Sequence, residues 1–162
     1  MPASAAPGLA AAAGQSALLC QVGSLVCGLP LEHILETLRP LALSPFEGMP
    51  PFVTGLSVIR GMPIPVVDLG RLLSNERSEK RGRWVLARAQ GRRVALAVEQ
   101  VIGVRTLAAP LLSALPPLLG EASAEFVSRV GSLDARVLVM LESGRVLPES
   151  TWASLQFGGG RV

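Results

Sequence analysis

From Ala17 onward, short apolar runs alternate with Gly, Pro or charged breaks, which is the pattern of many strands and few helices. The runs Ala17–Val22, Leu25–Leu29, Ile34–Leu38, Gly55–Ile59 and Ile64–Asp68 are followed by Trp84–Arg88, Val94–Val98, Val101–Arg105, Phe126–Leu133 and Val137–Leu141. Each is rich in Val, Ile or Leu, side chains that pack well on a pleated surface, and together they predict ten strands. Gly23-Ser24, Gln90-Gly91 and Asp134-Ala135-Arg136 carry tight-turn chemistry between such runs, so local hairpins dominate. The fold class this predicts is all-β with a few short helices, and ten strands suit two small barrels. A two-residue turn at Gly23-Ser24 would pair Val22 with Leu25 and set Cys20 directly opposite Cys27.

The breaks define the organisation. Met1 to Gln15 is an uncharged Ala/Gly/Pro/Ser segment without the basic start of an export signal, and residues 1–16 are read as a disordered tail. Ser74 to Arg83 is almost free of apolar residues, a solvated loop expected to divide the two halves. Ala108 to Ala124, with Pro110, Pro116 and Pro117, predicts a partly buried connection holding one short helical turn. The apolar stretch Leu107 to Leu119 falls short of the roughly 20 residues a spanning helix needs, so no membrane insertion is expected. A final short helix is predicted around Trp152 and Leu155, with 157–162 a loose tail, which leaves 17–156 as one unit of two subdomains.

Composition narrows the chemistry. The chain is 49% hydrophobic but only 4% aromatic, with no Tyr, so aliphatic side chains must fill the core. The net charge of +3 is concentrated in Arg77, Lys80, Arg81, Arg83, Arg88, Arg92 and Arg93, set against Glu76 and Glu79. A nucleic-acid surface interleaves aromatics with such cations so that bases can stack, and this stretch has only Trp84; a solvated loop explains it more simply. Catalysis has little to work with. His33 is the single histidine, with Glu32 and Glu36 near in sequence but no nucleophile beside it, and reads as a surface side chain at a strand entry. Asp68, Glu99, Asp134 and Glu142 lie singly at strand ends. No phosphate-cradling Gly loop, Cys-x-x-Cys or Gly-x-Ser-x-Gly motif occurs. Cys20 and Cys27 read as small apolar fillers of a barrel layer, because no His or second Cys pair completes a ligand set. The expectation is a non-enzyme with no cofactor and no metal, in a reducing cytoplasm.

One segment asks for a functional reading. In Gly55-Leu-Ser-Val-Ile-Arg60-Gly61-Met-Pro-Ile-Pro-Val-Val-Asp68-Leu69, two apolar strands meet at an Arg-Gly turn. Gly61 lets another backbone come close and Arg60 offers five fixed donors beside it, a combination suited to docking a helix or loop, although a turn with a solvated Arg has the same sequence. The pattern Gly55-x-x-x-Ile59-Arg60-Gly61-x-x-x-Pro65-Val66-Val67-Asp68-Leu69 resembles the signature of the CheW-like family of bacterial chemosensory coupling proteins. The resemblance extends over Leu29-Pro30-Leu31-Glu32, Ile34-Leu35-Glu36 and Met49-Pro50-Pro51-Phe52-Val53, and over Val94 to Val101 and Gly131 to Met140, which look like the family's second-half strands.

The resemblance implies two five-stranded SH3-like barrels and an adaptor that links a CheA-type histidine kinase, through its regulatory domain, to the cytoplasmic tip of chemoreceptors. It further implies a place at the inner face of the membrane within receptor arrays or rings. Receptor contacts carry over to Arg60 and Gly61, with Gly55 supporting the strand and Glu36 at a position whose acidic residue aids partner binding; no kinase-contact residue is named. Val58 stands where many members have Asn, and Glu99 where Asp is usual, and Val58 touches the docking site. Two other readings stand beside this one: a CheW-like module for a different signalling partner, and a basic small-barrel nucleic-acid-binding protein.

Overall fold

The computed structural model describes residues 14–74, 82–89, 91–108, 112–113, 126–142 and 145–158. Strands β1 (Gln15–Val22) and β2 (Leu25–Pro30) form the first hairpin, and a 3-10 turn over Leu31–His33 leads into β3 (Ile34–Leu38). Next come β4 (Val53–Ile59), β5 (Met62–Asp68), helix α1 (Leu69–Ser74), β6 (Arg83–Ala89) and β7 (Arg92–Val98). The chain continues through β8 (Gln100–Leu107), the two-residue β9 (Leu112–Ser113), β10 (Val127–Leu133), β11 (Arg136–Leu141) and helix α2 (Glu149–Gly158). All ten predicted strands are present, and β9 falls in the region read as an irregular connection, the rest of which lies largely outside the described residues.

Two sheets result, one of five strands in the order β3-β6-β7-β5-β4 and one of six in the order β8-β1-β2-β11-β10-β9. The sixth strand is β9, so the expected five-plus-five becomes five-plus-six. The five-stranded sheet is contiguous in sequence, whereas the six-stranded one joins the chain's first two strands to its last four, with β2 and β11 parallel. The segment 74–83 therefore does not divide the halves. Strands on either side of it, β5 and β7, pair in one sheet, with Val67 opposite Leu96. The chain instead crosses between the sheets at the 3-10 turn Leu31–His33 and again at Glu99, whose N–H bonds the Gln21 carbonyl while its carboxylate accepts from the Gly23 N–H in the β1–β2 turn. Gln15 and Ser16, assigned above to the tail, belong to β1, because their backbone pairs with Leu107 and Thr106 on β8. At the other end α2 reaches Gly158; residues 1–13 and 159–162 of the expected tails lie outside the described residues.

Continuous runs of β1, β2, β5, β6, β7 and β11 are buried on both faces, so their sequences read as unbroken apolar stretches, whereas β3 and β4 alternate buried or half-buried with more exposed positions. Along β1, Leu18, Cys20 and Val22 enter a core shared with Val53, Val67, Val85, Val94 and Leu96 of the other sheet. The intervening Ala17 and Leu19 pack with Val26, Leu107, Leu138 and Met140 in the six-stranded sheet's own core. Ile59, Ile64, Val66, Trp84, Leu86 and Ala95 do the same for the five-stranded one. Burying each Leu or Ile here contributes about 1.5–3 kcal/mol. The two-residue turn pairs Val22 with Leu25 and places Cys20 opposite Cys27, as the spacing predicts. Both thiols are free and buried in the shared core; burial pushes Cys20 up to about 12, and burial together with the neighbouring Cys20 raises Cys27 further, so both stay neutral. Leu72 and Leu73, read as the end of an apolar run, are in α1, whose first N–H groups at Gly70 and Arg71 are accepted by the Asp68 carboxylate.

Candidate partner-binding site

The β4–β5 hairpin pairs Ile59 with Met62 and leaves Arg60 and Gly61 as a two-residue turn. Their φ values of 52° and 79° are both left-handed, the arrangement whose twist matches that of the flanking strands. Arg60 holds a backbone conformation that costs an L-residue about 1 kcal/mol, and its side chain is held in return. Nε donates to Glu36 Oε2 at 2.6 Å and Nη2 to Oε1 at 2.9 Å, a two-pronged fit between planar groups.

Glu36 lies on β3, and β3 and β4 are the two edges of the five-stranded sheet, so this pair reaches across the seam between them. The chain leaving β3 covers the rest of that seam. Ala42 accepts a hydrogen bond from Ser57 Oγ at 2.9 Å, and Ser44 and Leu56 exchange two backbone bonds at 2.7 and 2.9 Å. Gly55 makes this approach feasible. It sits at a bulge with φ of 150°, and a Cβ there would come within 2.6 Å of the Ser44 carbonyl oxygen.

The electrostatics follow from the geometry. Hydrogen bonds from Arg60, helped by its charge, hold the Glu36 carboxyl below the ordinary glutamate range, and the same bonds raise Arg60. The Arg60 side chain is 70% exposed and that of Glu36 29%, so the pair presents a fixed cation to solvent above a partly covered carboxylate. Within two positions of Arg60 or Glu36 along the chain, three aliphatic side chains are exposed: Val58 by 64%, Met62 by 47% and Leu35 by 41%. A charge held in place with exposed aliphatic side chains near it in the chain is a combination suited to protein docking.

Of the residues singled out from sequence, the structure joins Arg60 to Glu36 directly, puts Gly61 in the turn with open space over its α-carbon, and exposes Val58. Gly55 is buried and acts through Ser44 rather than at the surface. Met62 and Leu35 escaped the sequence reading. Met62 directly follows the turn glycine, a position that an in-register hairpin leaves at the exposed end of a strand, and that signal was available.

Elsewhere the constellations are structural. His33 Nε2 lies 3.8 Å from Glu32 Oε1 at the 3-10 turn entering β3. Among the described residues no group of three or more His, Cys, Asp or Glu side chains converges on a point. Within the basic cluster, Arg92 bonds Glu149 at 2.7 Å and stacks on Trp152, and Arg93 donates to Met62 Sδ. Arg77, Lys80 and Arg81 lie outside the described residues. No helix among the described residues is long and apolar enough to cross a membrane.

Comparison with known proteins places this architecture. A family model described as the CheW-like domain matches residues 16–150. The protein FrzA of Myxococcus xanthus is 36% identical over 108 residues, covering 65% of this chain and 66% of that one. A probable chemotaxis protein CheW of Rhizobium etli is 24% identical over 103 residues, covering 62% of this chain and 66% of its own. The aligned part thus spans just under two thirds of each relative's length. The crystal structure of the scaffolding protein TtCheW from Thermoanaerobacter tengcongensis superposes with a TM-score of 0.70 at 19% identity, over 80% of this chain and 89% of that one. That superposition fixes the fold as a pair of SH3-like barrels. With the family match running from the second residue of β1 into the first turn of α2, this chain belongs to the CheW-like domain family.

Proposed function

We propose that this chain is a non-catalytic scaffold that couples methyl-accepting chemoreceptors to a CheA-type histidine kinase. The observation that carries the reading is the Arg60–Glu36 pair, held in two-pronged geometry at an exposed turn, with the exposed Val58, Met62 and Leu35 near it in the chain. Such a site recognises; it has no group placed to attack or to shuttle protons. The receptor's cytoplasmic tip docks there, and the kinase's regulatory domain engages other barrel surfaces. The scaffold then works in the cytoplasm, at the inner face of the membrane, as part of receptor arrays.

Val58 tunes the choice of receptor. Many family members have Asn at this position, and here a side chain 64% exposed presents methyl groups two residues before Arg60. A more apolar receptor surface is its natural complement, which points to a specialised array instead of the main swimming system.

Titration calorimetry of the full chain, against the regulatory domain of the CheA-type kinase and against a receptor-tip hairpin from the same source, tests both statements. Arg60→Ala should weaken receptor binding about tenfold while leaving the kinase titration and the far-UV spectrum unchanged. Failure of both partners to bind the wild-type chain would mean that the fold serves a different signalling partner. Val58→Asn with unaltered receptor affinity would remove the specialised-array reading alone.

A further inference from the structure

A concavity of about 570 Å³ opens between β5, the β6–β7 hairpin and α2, apart from the Arg60–Glu36 pair. Its wall is apolar: Leu56, Pro63 and Pro65 from the β4–β5 hairpin face Trp152 and Leu155 from α2. Leu56 and Pro65 are register partners, so their side chains share one side of the hairpin. Three guanidinium groups, those of Arg88, Arg92 and Arg93, line it from the β6–β7 hairpin.

These cations are poorly balanced. Arg92 is neutralised by Glu149 and pinned 5.1 Å above the Trp152 ring centroid. Arg93 donates to a thioether sulfur, a weak acceptor that carries no charge. Arg88 is exposed and makes no ion pair among the described residues. The site therefore combines an apolar floor with about two uncompensated positive charges, in a volume typical of small-molecule pockets, about 300–1,000 Å³.

We propose that this cavity binds a small amphipathic organic anion, with its hydrocarbon or aromatic body on Leu56, Pro63, Pro65 and Trp152 and its anionic head on Arg88 and Arg93. The planar donor forks of arginine suit a carboxylate or phosphate head, and Trp152, stacked under Arg92, supplies a flat apolar surface for the body. A purely hydrophobic ligand leaves the guanidinium charges unanswered, and an inorganic anion leaves the apolar wall exposed, so neither satisfies both halves of the site. The cavity borders the docking site at Met62, which belongs to both, whereas neither Arg60 nor Glu36 lines it.

The test uses anilinonaphthalene sulfonate, a fluorescent probe with an aromatic body and one anionic head, titrated into the full-length protein. Saturable one-to-one binding is expected, with displacement by decanoate or by decyl phosphate; which of the two competes better identifies the head group. Arg88→Glu should weaken the probe about tenfold or more, and since Arg88 is exposed and makes no ion pair among the described residues this variant keeps its fold. Trp152→Ala should weaken it as well. Equal binding of the uncharged analogue N-phenylnaphthylamine, or an unchanged affinity in Arg88→Glu, would overturn the proposal. So would displacement by a receptor-tip hairpin and by neither amphiphile, which would make the cavity a protein-docking groove.

Discussion

The β4–β5 and β10–β11 hairpins share one pairing scheme. In each, the first strand opens with a paired Val, skips one residue at a bulge, and then runs in register to a two-residue turn. A shift of 74 positions carries Val53 opposite Val67 onto Val127 opposite Leu141, and every later pair follows. The skipped residue is a hydroxyl in both: Thr54 Oγ1 donates to the Val66 carbonyl at 3.2 Å, and Ser128 Oγ to the Met140 carbonyl at 3.3 Å. Both turns place two left-handed residues in succession, Arg60-Gly61 and Asp134-Ala135.

The side chains then diverge. Asp134 meets Arg105 through one contact at 3.7 Å, whereas Arg60 grips Glu36 through two at 2.6 and 2.9 Å. Gly55, pressed on Ser44, corresponds to the exposed Arg129. The backbone scheme is therefore architecture that the chain uses twice, and recognition resides in what the first copy adds to it: a close approach at the bulge and a fixed cation at the turn.

The largest effect should come from the bulge. Gly55→Ala combines a left-handed backbone with a Cβ 2.6 Å from the Ser44 oxygen, so the Ser44–Leu56 bridge must open, and urea unfolding should show a loss of about 3 kcal/mol. Arg129→Ala, at the matching position, should stay within about 0.5 kcal/mol of wild type. Equal losses would mean that the bulge alone, without the close approach, sets the cost. The turns come next. Ala135 sits at φ 64°, where its Cβ is strained, so Ala135→Gly should stabilise by about 1 kcal/mol and raise Tm by about 2–4 °C. Gly61→Ala, at φ 79°, should do the reverse by a similar amount, and two changes of the same sign would show that the turns are not equivalent.

Much of this was legible beforehand. The apolar runs located every long strand, and Gly23-Ser24 fixed the Cys20–Cys27 register, because pleat and turn length are local properties. Partnership between strands was less legible. The polar stretch after Leu73 looked like a boundary between halves, yet β5 and β7 lie side by side, since the parallel pairing of β5 with β7, like that of β11 with β2, is a long-range choice that no local pattern records. For the site, Arg60, Gly61 and Glu36 were named from their resemblance to a signature, but nothing in the sequence said that Arg60 and Glu36 touch. That contact depends on the two edges of one sheet, 24 positions apart along the chain, meeting at a seam. Helix α1 was missed because six residues give too few turns for a helical period to stand out.

The smallest effect separates charge from backbone in the first turn. Because hydrogen bonds from Arg60 hold the Glu36 carboxyl below its ordinary value, the folded chain binds that proton less readily than the unfolded chain does. The contribution of the pair is therefore complete above the ordinary glutamate range and is lost as pH falls through the lowered folded value. The pair is exposed, so its effect on unfolding should be slight, and the carboxyl carbon-13 resonance of Glu36 is the sensitive reporter. Its titration midpoint should lie below that of an unstructured glutamate in the wild type and return toward it in Arg60→Ala. A midpoint that stays low after Arg60→Ala would assign the shift to the backbone of β3, which bulges between Ile34 and Glu36, and the turn cation would no longer set the first hairpin apart from the second.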